Sequence, residues 1–210
     1  MNITIIGASA GVGLEAVKRA LQRNHKVTTL SRSEIQLPPN DNLISIKGSA
    51  TNEADLAQAI QGAEAVIVAL GTGKNMKATT LFSDFAQCLL AVQKNETAQI
   101  PFILLTGFGT GESQKYTTWF VKIFLKYFLK DVYSDKAKME EMVSNSSMKW
   151  VIVRPGRLLD EPLTEKYRVE TNLYKGINIG GINRTDVADF MVKQGENPTE
   201  LGKYPALSAK

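Results

Sequence analysis

The chain has 210 residues, 43% hydrophobic and 22% charged, with 25 Lys and Arg against 21 Asp and Glu for a formal net charge of +4. That is enough chain for one well-buried core and short for two, so a single domain over residues 1–210 is expected. With one histidine, His25, and one cysteine, Cys88, there is no ligand set for zinc and no internal disulfide, so no metal and a reducing, cytoplasmic compartment are expected.

The positive charge is spread thinly and suits an anionic small ligand at least as well as a nucleic acid. No apolar run nears the roughly 20 residues of a membrane-spanning helix, and no basic group precedes the first apolar run as in a secretory leader. Neither nucleic acid nor membrane is an expected partner.

Taken in order, the first element is an apolar strand at 3–6 that runs into Gly7-Ala8-Ser9-Ala10-Gly11-Val12-Gly13 and then a helix at 13–23. A strand, a glycine-rich turn and a helix make the layout in which a pyrophosphate meets a helix N-terminus. Gly7 permits a sharp exit from the strand, Gly11 lets backbone N–H groups approach phosphate, and Gly13 lets the helix pack closely. The second strand, 26–30, ends in Ser31-Arg32. A fixed cation with a hydroxyl beside it matches the 2′-phosphate of NADP, whereas an acid there would bind the ribose of NAD. NADP(H) is favoured, with Glu34 keeping NAD(H) as the alternative.

A strand at 43–46, a helix at 53–60 and a strand at 65–70 follow, then helix 79–93 and strand 102–106. Helices are expected at 116–130 and 135–144, and a strand at 150–153 that Arg154-Pro155-Gly156 breaks. The last helix spans 185–194. Short continuous apolar strands alternating with amphipathic helices predict an α/β fold with a doubly wound parallel sheet and helices on both faces, in three layers. The segment 154–210 is too small for its own core and is expected to close over the sheet and the acceptor site.

These residues resemble the atypical short-chain dehydrogenases/reductases, and among them the NAD(P)H-dependent flavin reductase and biliverdin-IXβ reductase group with its NmrA-like relatives. Residues 7–14 resemble the family's glycine loop, Arg32 its 2′-phosphate arginine, and Ala65 to Thr72 its fourth strand and cofactor loop with Leu70, Gly71 and Thr72. Residues 153–157 with 160–164 resemble the loop over the nicotinamide, and 183–188 the start of the last helix. The resemblance implies a Rossmann fold, a dinucleotide held also by Ser49, Ala50, Thr106, Pro155 and Gly156, and an acceptor beside Gly107, Phe108 and Arg157; the aromatic segment 115–130 adds Trp119 as a candidate wall of that acceptor site. Three positions depart from the family: Ser49-Ala50 where Asp is usual, Thr106-Gly107 where Thr-Ser is usual, and Arg157 in place of a histidine.

Many short-chain dehydrogenases use a Tyr-x-x-x-Lys pair to move a proton. No lysine here has a tyrosine four positions before it; Tyr133 lies three before Lys136 and five before Lys138. Carbonyl chemistry of that kind is disfavoured, while hydride transfer to a flavin needs mainly orientation. Thr106 and Arg157 are the candidate catalytic residues, Arg157 by holding an acceptor, since arginine stays protonated and is no acid. The segment 115–130 carries Trp119, Phe120, Phe124, Tyr127 and Phe128, with Lys122, Lys126 and Lys130 every four residues. It is read first as a helix packed into the core, then as an aromatic wall of the acceptor pocket or a homodimer face, and last as a membrane-surface helix.

The expected activity is NADPH-dependent hydride transfer to a planar aromatic acceptor such as FMN, riboflavin, a biliverdin-like tetrapyrrole or a quinone, by a monomer or weak homodimer. The alternatives are an NAD(P)-binding redox sensor of NmrA-like type and a sugar-nucleotide epimerase or dehydratase.

Overall fold

The protein is described by a computed structural model that covers residues 1–73, 79–93 and 100–210. Five parallel strands bury apolar runs at the centre: β1 (Asn2–Ile6), β2 (Lys26–Ser31), β4 (Ala65–Val68), β5 (Pro101–Leu105) and β6 (Lys149–Pro155). The sheet is extended by β3 (Leu43–Lys47) at one edge and by β10 (Ala206–Ala209) and β8 (Tyr167–Glu170) at the other. The order is β3-β2-β1-β4-β5-β6-β10-β8, parallel throughout except where β8 pairs antiparallel with β10. A small separate parallel pair joins β7 (Arg157–Leu159) to β9 (Gly181–Asn183).

Two-sided burial explains the continuous hydrophobicity of the central strands. On one face Ile3 and Ile5 meet α1 (Gly11–Gln22) and α6 (Arg184–Glu196), through Ala16, Val17, Ala20, Val187 and Met191. On the other, Ile6, Val66 and Phe102 pack with α2 (Glu53–Ile60), α3 (Leu81–Gln93) and α5 (Lys130–Ser144), through Leu56, Phe85, Leu89, Met139 and Val143. Cys88 is a buried member of this second layer. Local chemistry sets the helix starts: the Asn52 side chain accepts the Asp55 N–H at 3.0 Å to cap α2. The α3 start is capped from a distance by Asp135 of α5, which accepts the N–H groups of Phe82 and Ser83 at 2.9 and 3.2 Å.

Three expectations change. The helix expected at 116–130 is instead a 3-10 turn at Gly111–Tyr116, an extended step at Thr117 and Thr118, and α4 (Trp119–Phe128). Leu129, at φ −128° and ψ 11°, leaves helical geometry and lets α5 start in a new direction at Lys130. Arg154-Pro155 continues β6 rather than breaking it, because Pro155 ends the strand and its carbonyl still accepts the Phe108 N–H at 2.8 Å. The strands β7 to β10 are three or four residues long, too short for an alternation to register. Residues 154–210 therefore do two jobs, β10 and β8 widening the sheet while β7 and β9 border a cavity described below.

The inner end of α5 is fixed by a buried ion pair. Glu140 Oε2 meets Arg154 Nη2 at 2.7 Å, and the two side chains are only 4% and 2% exposed. Removing one partner of such a pair strands the other charge in the core. Replacing Arg154 with Met is expected to lower stability by about 3–5 kcal/mol in equilibrium urea unfolding, and no measurable loss would contradict this role.

Candidate functional site

The sheet order turns back between β1 and β4, and beyond the carboxyl ends of these strands lies a cleft of about 590 Å³. This is where open α/β sheets bind ligands. Gly7 leaves β1 at φ +82°, and a Cβ there would stand 2.6 Å from the Ala69 carbonyl oxygen. A Cβ on Gly13 would collide with the Gly7 carbonyl, so α1 rests directly on the strand exit. Ser9, Ala10, Gly11 and Val12 line the cleft together with Gly7, while Gly13 sits behind them. Helix α1 begins at Gly11 with Ala10 as its N-cap, which supplies no side-chain cap, and its first turn holds no acid. Its leading N–H groups and positive dipole end therefore face the cleft unanswered by a side chain.

The far end of the cleft is built from β2 and β3. Ser31 donates its hydroxyl to the Ser33 carbonyl at 2.7 Å, shaping the turn on which exposed Arg32 stands at the cleft wall. Ser49 and Ala50 line the same end. The Ser49 N–H donates to Asp55 Oδ2 at 2.7 Å, so α2 holds this loop from beneath. Leu70, Gly71 and Thr72, following β4, complete the wall.

At its inner end the cleft adjoins a second cavity of about 620 Å³, and Thr106, Lys136, Leu158 and Arg184 border both. Lys136 donates to the Thr106 carbonyl at 2.7 Å and lies 5.5 Å from the Tyr133 ring centroid and 5.2 Å from that of Phe82. Burial pushes its ammonium down to about 8, against a smaller upward pull from Glu140. Burial also raises the Tyr133 phenol. The Thr106 hydroxyl donates to Glu140 at 2.6 Å, so its proton is directed into the core and its carbonyl, not its hydroxyl, bears on the cavity through Lys136.

Sequence reasoning weighed Tyr133 with Lys136 and set the pair aside for its spacing, and it gave Arg184 no role at the site. The signal for the first two was present: positions three apart on a helix share a face as those four apart do. Gly107 belongs with them, since a Cβ there would lie 3.0 Å from the Tyr133 hydroxyl. The glycine that replaces the usual serine leaves room for this phenol. Arg184, the first residue of α6, comes within 3.8 Å of where a Cβ on Gly11 would stand, which puts a guanidinium beside the glycine loop.

The second cavity is lined by Gly107, Phe108, Pro155, Gly156 and Arg157, with Pro155 and Gly156 on this side of the junction rather than in the first cleft. Exposed Arg157 forms no ion pair among the described residues; Asp160 pairs instead with Arg184 at 2.6 Å. Asp186 ties the loop before β8 to α6, accepting the Thr164 and Glu165 N–H groups at 2.9 and 2.8 Å. Helix α4 contributes Val121, Phe124 and Leu125 to the lining. Trp119 does not reach the cavity: it is 66% exposed, edge-on to Phe120 at 4.8 Å. The helix expected in the core thus lies on the surface, with Leu125 as the one residue under 5% exposed among its described side chains. Of the lysine stripe, Lys122 and Lys130 are exposed, and the side chain of Lys126 lies outside the described residues.

The family model described as NAD(P)H-binding matches residues 7–198. UPF0659 protein YMR090W of Saccharomyces cerevisiae is 24% identical over 213 residues, covering 97% of this chain and 90% of that one. The solved structure of ChuY, an anaerobilin reductase from Escherichia coli O157:H7, superposes with a TM-score of 0.77 at 20% identity, over 100% of this chain and 97% of its own. A protein of Streptococcus pneumoniae TIGR4 named as a candidate NADH-flavin reductase gives a TM-score of 0.79 at 22% identity, with both chains fully covered. At these identities the two structures are relatives in fold.

Proposed function

The chain belongs to the NAD(P)H-binding family, and from that premise we propose that it is an NADPH-dependent oxidoreductase passing hydride to a planar, conjugated acceptor such as a flavin, a tetrapyrrole or a quinone. The observation that carries this reading is the adjacency of two cavities, one beside the glycine loop and one lined by apolar and aromatic side chains, with Thr106, Lys136, Leu158 and Arg184 bordering both. A redox sensor needs the first cavity; the second, which shares a wall with the first, suits an acceptor.

The first cleft fits a dinucleotide on its own geometry. A Cβ on Gly7 would strike backbone, the α1 N-terminus carries no side-chain cap, and Arg184 stands alongside. Gly11, Val12 and Arg184 hold the pyrophosphate in this reading, and Arg32 beside Ser31 meets the 2′-phosphate. A bound dihydronicotinamide supplies the hydride. Arg157 holds an anionic or carbonyl oxygen of the acceptor, and the apolar wall excludes water. Lys136 stands where an acceptor gains negative charge on accepting hydride; its ammonium stabilises that charge or gives up a proton, and is recharged from solvent. Thr106 and Glu140 position this lysine, so Thr106 acts through Lys136.

Two measurements test the reading. NADPH is expected to bind purified protein more tightly than NADH, with Arg32→Ala losing about 1–3 kcal/mol for NADPH and little for NADH; failure to bind either sinks the proposal. Oxidation of NADPH by FMN, riboflavin, biliverdin or a quinone follows the second half. For an acceptor that takes up a proton, kcat/KM is expected to fall as pH rises through about 8, where Lys136 loses its charge, and Lys136→Met is expected to remove that limb. Tight NADPH binding with no acceptor reduced would favour the NmrA-like sensor.

A further inference from the structure

Among the described residues no helix is long and apolar enough to cross a membrane. Helix α4 nevertheless presents a surface that water does not suit. Seven of its ten residues are large apolar side chains left open: Trp119, Phe120, Val121, Ile123, Phe124, Tyr127 and Phe128, between 37% and 76% exposed. At about 100° per residue, Trp119, Ile123, Tyr127, Phe120, Phe124 and Phe128 follow one another around half of the helix. Single exposed apolar residues are ordinary, but a contiguous set of this kind marks an interaction site.

The charges around the rings select the occupant. Between Glu112 and Asp131 the sequence contains Lys115, Lys122, Lys126 and Lys130 and no acid. Lys115 lies 3.9 Å from Glu112, while among the described residues Lys122 reaches only the Lys115 carbonyl, at 3.3 Å. A second copy docked through this helix about a two-fold axis would set the same lysines against one another with no carboxylate in the segment to answer them. An anionic lipid surface answers both features, taking the rings into its interfacial region and the ammonium groups at its headgroups. We propose that α4 is a peripheral docking helix for anionic membrane surfaces. The same helix lines the second cavity through Val121, Phe124 and Leu125. Docking therefore brings the mouth of that cavity to the bilayer, where a lipid-soluble acceptor of the quinone class enters without crossing water; this link rests on the reductase reading, while the docking itself does not.

The test sediments the full chain with vesicles of phosphatidylcholine alone and of equal parts phosphatidylcholine and phosphatidylglycerol. Binding to the anionic vesicles is expected to exceed that to the neutral ones by about tenfold or more and to weaken with added salt. Trp119 emission is expected to shift to the blue, a change lost in Trp119→Phe because Trp150 is buried. The double variant Phe120→Glu/Phe128→Glu, at two exposed positions outside both cavities, is expected to stop sedimentation with vesicles while NADPH titrates as before. No binding to anionic vesicles, or equal binding by the double variant, overturns the proposal. A homodimer in light scattering that the double variant dissociates assigns the face to a second copy and overturns it too. Because NADPH is titrated on the same samples, failure of the surface and failure of the reductase reading are told apart.

Discussion

The register of α5 against the ends of β5 and β6 is the constraint on which the site depends, and a buried carboxylate sets it. Glu140 accepts the Thr106 hydroxyl at 2.6 Å and Arg154 Nε at 3.1 Å on one oxygen, and Arg154 Nη2 at 2.7 Å on the other. One helical turn earlier Lys136 donates to the Thr106 carbonyl, so two successive turns of α5 are pinned to the same strand-end residue. Asp135, beside it, caps α3. Two buried carboxylates and a half-buried ammonium on one helix are costly to desolvate. Here each has a partner with good geometry, and the result is a fixed place for Lys136 and Tyr133 where the two cavities meet.

That arrangement gives the departures from the family pattern a common physical sense. With glycine at position 107 the Tyr133 phenol approaches the end of β5, where a serine side chain would press on it. Arg157, left without an ion pair among the described residues because Asp160 is taken by Arg184, keeps its guanidinium for the second cavity. The Ser49 loop, lacking the usual acid, is held through its backbone by Asp55. The site is consequently rich in cations at the junction and apolar beyond it, an environment that orients a flat anionic or carbonyl-bearing molecule more than it drives acid-base chemistry.

Most of the fold was legible in the sequence because the signal is strong where burial is two-sided. Runs such as Ala65-Val-Ile-Val and Phe102-Ile-Leu-Leu have no other comfortable state, and the glycine loop is read from steric need at Gly7 and Gly13. Most of the residues expected on the cofactor side line the first cleft for the same reason: they follow strand ends in order. The rest escaped for reasons equally physical. The short strands β7 to β10 are held by tertiary pairing rather than by their own pattern. The apolar richness of 119–128 reads as core, yet among its described side chains only Leu125 turns fully inward, because periodicity reports that a face wants cover without saying what supplies it. Lys136 and Glu140 gain their meaning from Thr106 and Arg154, residues 30 and 14 positions away.

The central claim is that one dinucleotide lies along the first cleft with its reactive end at the junction of the two cavities. A crystal structure of the chain grown with NADPH tests it most directly. The pyrophosphate is expected against the first turn of α1 and the nicotinamide among Thr106, Lys136, Leu158 and Arg184, with one face open to the cavity that holds Arg157. A nicotinamide bound elsewhere, or one walled off from that cavity by the protein, would contradict it.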